Sequence, residues 1–243
     1  MVEQDLIMCR ALVSIFSHPL LSDTLVFRGG TAIHKLLLPP AARYSEDIDC
    51  VQIVPGPIGP IFNALRETLG PFLGAPQSKQ GRSVVNLIFR TESQGAPVVP
   101  LRLKVEINSR EHFSELEVRK QAFSVGSRWF SGRCVIPVFQ LNELLGTKLR
   151  ALYQRRKGRD LFDIWYGLTR GKADAEGVVR CFKRYLASSG LRLRRRDLAA
   201  NIEEKLGNGS FVHDTDDLLR PGLAYSPPQA YRLLQEDILR QMD

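Results

Sequence analysis

The first half of the chain alternates between short apolar runs and amphipathic helical patterns. Apolar side chains recur at helical spacing between residues 5 and 17, which predicts a leading helix. A short apolar run over residues 25–28 indicates a buried strand, and residues 61–69 favour a helix. Further strands are predicted over residues 83–90 and 101–108, on either side of a polar stretch that contains Pro and Gly. This alternation predicts a domain of mixed helices and strands.

The strand predicted over residues 101–108 is amphipathic along its whole length. Apolar and polar residues alternate, so that side chains of one type share one face. The apolar face carries Leu101, Leu103, Val105 and Ile107, and the polar face carries Arg102, Lys104, Glu106 and Asn108. Glu106 is then either a solvated residue of an ordinary amphipathic strand or a carboxylate that takes part in a site.

In the second half of the chain the strand patterns stop and long helical patterns follow. The apolar residues of a helix predicted over residues 141–154 form one stripe, and Lys148 lies within that stripe. A lysine in this position either extends its ammonium to the surface or directs it at a bound anion. We therefore predict an α/β (α+β) protein, with a first domain over residues 1–137 and a helical domain over residues 138–243.

The charge balance of the chain favours an anionic partner. The 243 residues include 34 Lys plus Arg against 26 Asp plus Glu, which gives a formal net charge of +8. No run approaches the length of apolar sequence that a membrane span requires, and the acidic N-terminus does not resemble a signal peptide. We therefore expect a cytoplasmic protein whose partner is nucleic acid and not a membrane.

Cysteine and histidine give no metal-binding pattern. The four cysteines are far apart and lack the C-x-x-C spacing, so neither a zinc ribbon nor a disulfide framework is indicated. We expect buried thiols. The four histidines are equally scattered, and the sequence assigns them no role.

A glycine turn follows the first predicted strand. Gly29 and Gly30 end the apolar run, and glycines allow the backbone to approach a phosphate closely. Thr31 is predicted to cap a helix over residues 31–38, whose free amides favour an anion. The alternative is a tight turn without a ligand. The segment lacks the Gly-Lys-Ser/Thr of a Walker motif.

Two aspartates follow this turn in an extended segment. In Asp47-Ile48-Asp49 the two carboxylates share one face because side chains alternate along a strand. Neighbouring carboxylates repel each other unless a cation joins them, and Mg²⁺ commonly bridges carboxylates to substrate phosphates. The alternative is a solvated turn or strand edge.

A second pair of aspartates lies in the helical half. Asp160 and Asp163 are three residues apart and would share one face of a helix that begins near Arg159. Basic clusters occur later in the chain, where they either follow an RNA backbone or solvate a helix. These clusters consist of Lys183, Arg184, Arg192, Arg194, Arg195 and Arg196.

Four segments together resemble one protein family. They are Gly29-Gly-Thr-Ala, Arg43-Tyr-Ser-Glu-Asp-Ile-Asp49, Lys104-Val-Glu-Ile, and Leu144-Leu-Gly-Thr-Lys148-Leu-Arg-Ala followed by Lys157-Gly-Arg-Asp160-Leu-Phe-Asp163. In this order and spacing the chain resembles the AbiEii/AbiGii-type nucleotidyltransferase toxins, which include the MenT-like toxins of toxin-antitoxin systems. The resemblance covers about residues 25–170.

The resemblance implies a DNA polymerase beta-like nucleotidyltransferase core with a mixed sheet, followed by a C-terminal helical bundle. It further implies a site for the nucleotide, a set of catalytic residues and a set of metal ligands. The implied nucleotide-binding residues are Gly29, Gly30, Thr31, Lys148, Asp160 and Asp163. The implied catalytic residues are Asp47, Asp49, Lys148 and Asp163, and the implied metal ligands are Asp47, Asp49 and Glu106.

The implied function is transfer of NMP from an NTP to the 3′ end of tRNA, which blocks aminoacylation and translation. Two-metal chemistry with Mg²⁺, or alternatively Mn²⁺, and a cognate antitoxin protein belong to this expectation. Ser45 is either a site of modification or a plain turn serine. Two other functions stay open: nucleotidylation of a protein or small molecule, and a noncatalytic basic module that binds RNA.

Overall fold

The computed structural model describes residues 2–81 and 84–242. Residue 83, where a strand was predicted to begin, lies outside the described residues. So do residue 1, at the start of the first predicted domain, and residue 243, at the end of the second. The chain forms two compact units. The first comprises Met1–Ala32, Glu46–Ser114 and Val118–Phe139, and the second comprises Ile33–Ser45, Glu115–Glu117 and Gln140–Asp243. The division of domains at residue 137 stays a prediction.

The first unit contains a seven-stranded sheet. In chain order its strands are β1 Leu25–Arg28, β2 Asp47–Gln52, β3 Gln77–Gln80, β4 Val84–Glu92, β5 Pro100–Asn108, β6 Arg119–Gly126 and β7 Ser131–Val138. Their order in the sheet is β3-β4-β5-β2-β1-β7-β6. The pairs β2–β5 and β1–β7 are parallel and the other pairs antiparallel. The predicted mixed sheet is therefore confirmed.

Helices of the first unit pack against this sheet. They are α1 Val2–Ser17, α2 Pro19–Thr24, α3 Gly29–Thr31 and α4 Ile58–Leu73. Helix α1 packs against β5, β6, β7 and α4. The prediction of a helix over residues 61–69 was too short, because α4 begins directly after Pro57 and continues through Pro71. A π-helical segment, Ala32–Leu37, follows α3 directly.

The alternation predicted for β5 is confirmed. Its apolar side chains, Leu101, Leu103, Val105 and Ile107, are at most 9% exposed. The residues between them are exposed or half-buried, which leaves one face of the strand polar. Strand β2 runs parallel to β5 and contributes to the same two faces.

Apart from an isolated β-bridge between Arg43 and Leu219 and the π-helical residues that follow Ala32, the described residues of the second unit form a series of helices. They are α5 Leu141–Gln154, α6 Gly158–Thr169, α7 Ala175–Ser188, α8 Arg195–Leu206, α9 Gly209–Val212 and α10 Pro227–Asp237, followed by a 3-10 turn at Leu239–Gln241. Helix α5 packs against α6, α7 and α8 through a stripe of leucines that are at most 1% exposed. The bounds predicted for α5 are confirmed.

Among the described residues, none of the helices combines the length and the apolar character that a membrane span would need. Three of the four cysteines, Cys9, Cys50 and Cys181, are buried, and Cys134 is half-buried.

Candidate active site

The glycine turn joins β1 to α3 and places Gly29 against a carboxylate. Gly29 has φ +81°, a left-handed conformation that side chains rarely adopt. A Cβ at this position would lie 2.8 Å from the Asp49 Cβ and still closer to the Asp49 Oδ2. A glycine is required here both by the backbone and by the neighbouring Asp49.

Thr31 does not cap the helix, contrary to the prediction. Arg28 occupies the N-cap position, and Thr31 is the last residue of α3. Its side chain is fully buried, and its hydroxyl donates a 2.6 Å hydrogen bond to the backbone carbonyl of Asp47. The helix begins earlier than predicted because Gly29 adopts the turn conformation that starts it. Thr31 therefore ties the turn to the first residue of β2.

Strand β2 presents Asp47 and Asp49 on one face, as predicted. Ile48 between them is fully buried, while both aspartates are half-buried. The Oδ1 atom of Asp47 is buried and accepts no hydrogen bond from any described residue. A buried carboxylate oxygen without a donor is costly unless a cation or water satisfies it.

The parallel register of β2 and β5 brings Glu106 beside these aspartates. Asp49 pairs with Glu106 and Asp47 pairs with Lys104. The Lys104 Nζ lies 2.7 Å from the Glu106 Oε2 and 3.6 Å from the Asp47 Oδ2. Glu106 is therefore not simply solvated. It belongs to one polar surface, the carboxylate face, which we define as Asp47, Asp49, Lys104 and Glu106.

Lys104 is protonated on this face. Burial by itself lowers the pKa of its ammonium, but the hydrogen bond to Glu106 and the charges of Asp47, Glu106 and Asp49 outweigh burial and raise that pKa above its ordinary value. One positive charge thus stands among three carboxylates.

The donor atoms of the carboxylate face fit a hard divalent cation. Carboxylate oxygens are the ligands that Mg²⁺ prefers, and the buried Asp47 Oδ1 is without a donor. Within residues 2–81 and 84–242, however, no three His, Cys, Asp or Glu side chains are already grouped as a metal site. The ammonium of Lys104 lies between Asp47 and Glu106 instead.

Arg28 lies next to the glycine turn and in register with Asp49. Its Nη1 donates a 3.1 Å hydrogen bond to the Glu111 Oε2, and both side chains are largely buried. Sequence reasoning missed Arg28 because a single arginine at a strand end has no distinctive pattern.

A second charged cluster lies within the helical unit. Lys148 on α5 does not extend to the surface, since its side chain is only 9% exposed. Its Nζ lies 3.0 Å from the Asp160 Oδ1 and 2.8 Å from the Asp163 Oδ2, both on α6. The prediction that these aspartates share a helix face is confirmed. Both are fully buried.

Asp163 has ionic partners at both of its oxygens. Arg43 binds it with two nitrogens, Nε to Oδ1 at 2.6 Å and Nη2 to Oδ2 at 2.7 Å, and His34 contacts Oδ1 at 2.9 Å. Burial alone would raise the pKa of Asp163. The charges of Arg43 and Lys148 and the hydrogen bonds from Arg43 and His34 outweigh burial and hold that pKa well below its usual range.

Asp160 is held in a similar way. In addition to Lys148, it accepts hydrogen bonds from Arg155, whose Nε lies 2.7 Å from Oδ2 and whose Nη2 lies 2.9 Å from Oδ1. Burial opposes ionisation, but the charge of Lys148 and the hydrogen bond and charge of Arg155 lower the pKa of Asp160. We call Lys148, Asp160, Asp163, Arg43, Arg155 and His34 the buried ionic cluster.

His34 is a neutral member of this cluster. Because Asp163 is ionised, the His34 Nε2 must carry the proton of their hydrogen bond, which leaves Nδ1 unprotonated. The Nδ1 atom is buried and has no partner among the described residues. Burial lowers the pKa of His34 despite the nearby Asp163. The ring lies 5.8 Å from that of Phe162 and 5.6 Å from that of Tyr166.

Three members of the cluster, His34, Arg43 and Arg155, were not assigned a role from the sequence. His34 shows no metal or catalytic spacing, Arg43 was noted only as part of a motif segment, and Arg155 belongs to a run of charged residues before α6. With His34 neutral, the cluster holds three positive side chains and two carboxylates. It therefore keeps one excess positive charge, which favours an anion nearby.

The family of the chain follows from comparison with known proteins. The model of the nucleotidyl transferase AbiEii toxin of type IV toxin-antitoxin systems matches residues 10–232. The chain belongs to this family. The resemblance seen in the sequence is therefore confirmed, and the protein is a nucleotidyltransferase of a toxin-antitoxin system. Membership in the family implies an NTP substrate and a cognate antitoxin.

Solved structures show the same fold at low sequence identity. The chain is similar to MenT4, a nucleotidyltransferase toxin of Mycobacterium tuberculosis, with 20% identity and a TM-score of 0.65 over 99% of this chain and 85% of that one. It is also similar to JHP933 of Helicobacter pylori, with 19% identity and a TM-score of 0.60 over 99% and 94% of the two chains. A comparison with curated proteins finds no match. These similarities establish the nucleotidyltransferase fold.

Proposed function

We propose that this nucleotidyltransferase transfers NMP from an NTP to the 3′ end of tRNA and so blocks aminoacylation and translation. One observation carries the proposal: the register of β2 and β5 groups Asp47, Asp49 and Glu106 on one face, next to the Gly29 turn. Carboxylates are suited to hold the divalent cation that assists such a transfer, and a glycine turn allows a phosphate to approach the backbone closely. The formal charge of +8 supports an RNA acceptor.

The carboxylate face holds the divalent cation in this proposal. Asp47 and Asp49 are its main ligands, and Glu106 is the third carboxylate. When bound, Mg²⁺, or alternatively Mn²⁺, neutralises phosphate charge and favours the ionised form of the attacking hydroxyl. In the transfer the RNA 3′ oxygen forms a bond to the α-phosphorus. The bond between the α-phosphorus and the oxygen that bridges the α- and β-phosphates breaks, so that pyrophosphate leaves. The hydroxyl proton passes to solvent.

The glycine turn binds the triphosphate. The backbone of Gly29 and Gly30 allows a close approach, while Thr31 fixes the turn through its hydrogen bond to Asp47. Because the Thr31 hydroxyl is buried and engaged, its proposed contribution to nucleotide binding is to hold the turn in place.

Lys148 supplies positive charge to the phosphates from the buried ionic cluster. Asp160 and Asp163 are fully buried, and cations or His34 already engage their oxygens. We therefore assign both aspartates a positioning role, in which they orient Lys148 and do not touch the nucleotide. In this proposal the reaction takes place in the cytoplasm, where tRNA and NTPs are present.

The test is incubation of the purified protein with Mg²⁺, total RNA and each labelled NTP in turn. We expect label in tRNA, and none after periodate has destroyed the 3′ diol. Asp49→Asn and Lys148→Ala are expected to abolish labelling. Asp23→Asn, at an exposed position of α2, is the matched control and retains it.

Two outcomes would contradict the proposal. Undiminished labelling by Asp49→Asn would exclude the carboxylate face as the catalytic centre. Label that migrates with a protein or with a small molecule would leave the enzyme class intact and replace tRNA as the acceptor.

A further inference from the structure

Lys104 belongs to a motif segment, but neither the sequence nor the proposed mechanism gives it a role. It lies on β5, in register with Asp47 and two residues before Glu106. Its ammonium contacts a carboxylate on each side, at 2.7 Å from the Glu106 Oε2 and 3.6 Å from the Asp47 Oδ2. Lys104 therefore connects two of the three carboxylates that the proposed function gives to a divalent cation.

The charges of the carboxylate face require compensation in the metal-free protein. Asp47, Asp49 and Glu106 occupy neighbouring register positions on two paired strands, where like charges destabilise each other. The side chains of Lys104, Glu106 and Asp47 are 20%, 34% and 37% exposed, so water screens them only in part. One ammonium offsets part of the repulsion.

We propose that Lys104 is the resident cation of the carboxylate face: it holds Asp47 and Glu106 in place without metal, and it leaves them when a divalent cation binds. This inference rests on the cation site of the proposed function. A dication that binds Asp47 with Lys104 still in contact would meet a like charge within a few ångströms. The flexible four-carbon side chain of a lysine permits the ammonium to withdraw.

Two consequences distinguish this role from a structural one. Lys104 weakens binding of a divalent cation because the cation must displace it, although it stabilises the metal-free protein. Removal of its charge therefore has opposite effects on the two states: the metal binds more tightly, and the metal-free protein becomes less stable. A residue that served only to hold the sheet together would weaken both.

The experiment measures Mn²⁺ binding to the full chain without nucleotide, from the electron paramagnetic resonance signal of free Mn²⁺. Lys104→Met removes the charge and keeps most of the side-chain length. We expect it to bind Mn²⁺ about tenfold more tightly than the wild type, since the lost repulsion is between partly screened charges. Lys104→Arg keeps the charge and is expected to bind with nearly the wild-type affinity.

The matched control is Lys79→Met on β3. Lys79 is an exposed lysine of the same sheet, in register with Asn86. Its substitution is expected to leave Mn²⁺ affinity unchanged. Lys104→Gln, which also lacks the charge, provides the same comparison if the methionine variant does not fold.

Thermal unfolding in EDTA and in Mn²⁺ gives a second measurement. We expect a lower Tm for Lys104→Met in EDTA and a larger rise in Tm on addition of Mn²⁺ than in the wild type. Unchanged or weaker Mn²⁺ binding by the uncharged variants would overturn the inference and leave the proposed function standing. Wild-type Mn²⁺ binding that persists in Asp49→Asn would instead overturn the cation site, and this inference with it.

Discussion

The carboxylate face and the buried ionic cluster use the same kinds of side chain in opposite environments. On the carboxylate face, Lys104 pairs with carboxylates that remain 34–37% exposed. In the buried ionic cluster, Lys148 is 9% exposed and pairs with Asp160 and Asp163, which are fully buried. In both places one ammonium connects two carboxylates.

The difference in exposure decides whether the carboxylates can exchange their cation or hold it in a fixed position. Partly exposed carboxylates with one flexible partner can exchange that partner for another cation at moderate cost. Fully buried carboxylates held by several donors cannot lose a partner without leaving an uncompensated charge, which is strongly destabilising. We infer that the first arrangement suits a ligand site and the second suits the fixed orientation of Lys148.

Asp49→Asn tests the carboxylate face and has the largest expected effect. We expect nucleotide transfer to fall about a thousandfold, because loss of a metal ligand removes several kcal/mol of charge stabilisation in the transition state. Initial rates of RNA labelling measure this loss. Urea unfolding identifies conditions under which the variant is folded, and undiminished labelling under those conditions would contradict a ligand role.

Asp163→Asn tests the buried ionic cluster. The substitution leaves Arg43 without its carboxylate and leaves Lys148 with Asp160 alone, and we expect the free energy of unfolding to fall by about 3–5 kcal/mol. Urea unfolding measures this change. The control is Asp197→Asn, which removes an exposed ion pair with Arg194 and is expected to have no measurable effect. Equal stabilities of the two variants would contradict a structural role for the buried ion pairs of Asp163.

Gly29→Ala tests whether the turn positions Asp49. Both Gly29, with φ +81°, and Gly74, with φ +76°, have left-handed backbones, so alanine is expected to cost about 1–3 kcal/mol of stability at either position. Only at Gly29 does the new Cβ meet Asp49, whereas a Cβ at Gly74 meets no described residue within 4 Å apart from its chain neighbours.

Transfer activity therefore separates the two glycine variants. We expect Gly29→Ala to lose nucleotide transfer under conditions where it is still folded, and Gly74→Ala to retain it. RNA labelling measures the transfer activity, and thermal unfolding shows under which conditions each variant is folded. Similar activities would show that the contact with Asp49 does not matter for the reaction.

His34 makes the free energy of unfolding depend on pH. This is the smallest of the expected effects. Burial lowers the pKa of His34 below the ordinary value of 6.5. The charge and hydrogen bond of Asp163 raise that pKa, whereas the charges of Arg43 and Lys148 lower it further. The unfolded chain therefore takes up a proton that the folded chain does not. The stabilisation is complete above about pH 6.5 and is lost as the pH falls, by at most about 1.4 kcal/mol per pH unit.

Urea unfolding between pH 5 and pH 8 measures this dependence. His34→Gln is expected to show a shallower fall in stability below about pH 6.5. A wild-type slope in His34→Gln would exclude His34 as the source.

The elements that the sequence predicted are those with strong local periodicity. Strand β5 and helix α5 have apolar residues at the spacing of their secondary structure, and both match the structure. Strands β3, β6 and β7 were not predicted. Strands β3 and β6 form the two edges of the sheet. Strand β6 and the first half of β7 are exposed or half-buried, so they carry little apolar alternation. These segments become strands because they pair with a neighbouring strand, and no local sequence pattern encodes that pairing.

The candidate site was predicted in a similarly uneven way. The motifs pointed to Asp47, Asp49 and Lys148, because these residues lie in segments that resemble a family. His34 gave no comparable signal, and Arg43 lies in one of these segments but was assigned no role. The structure adds them because they contact Asp163, which lies 120 and 129 residues away in the chain.

The sequence by itself determined the family and the shared face of Asp47 and Asp49, because motifs and side-chain alternation are local properties of the chain. The mixed sheet was expected only because the resemblance to the family implied it. Only the tertiary structure decided which charges are buried and which partner each one has. Burial and pairing depend on segments distant in sequence, such as β5 beside β2 and Arg43 against Asp163. Those contacts separate the exchangeable Lys104 from the fixed Lys148, although the sequence shows two similar lysines.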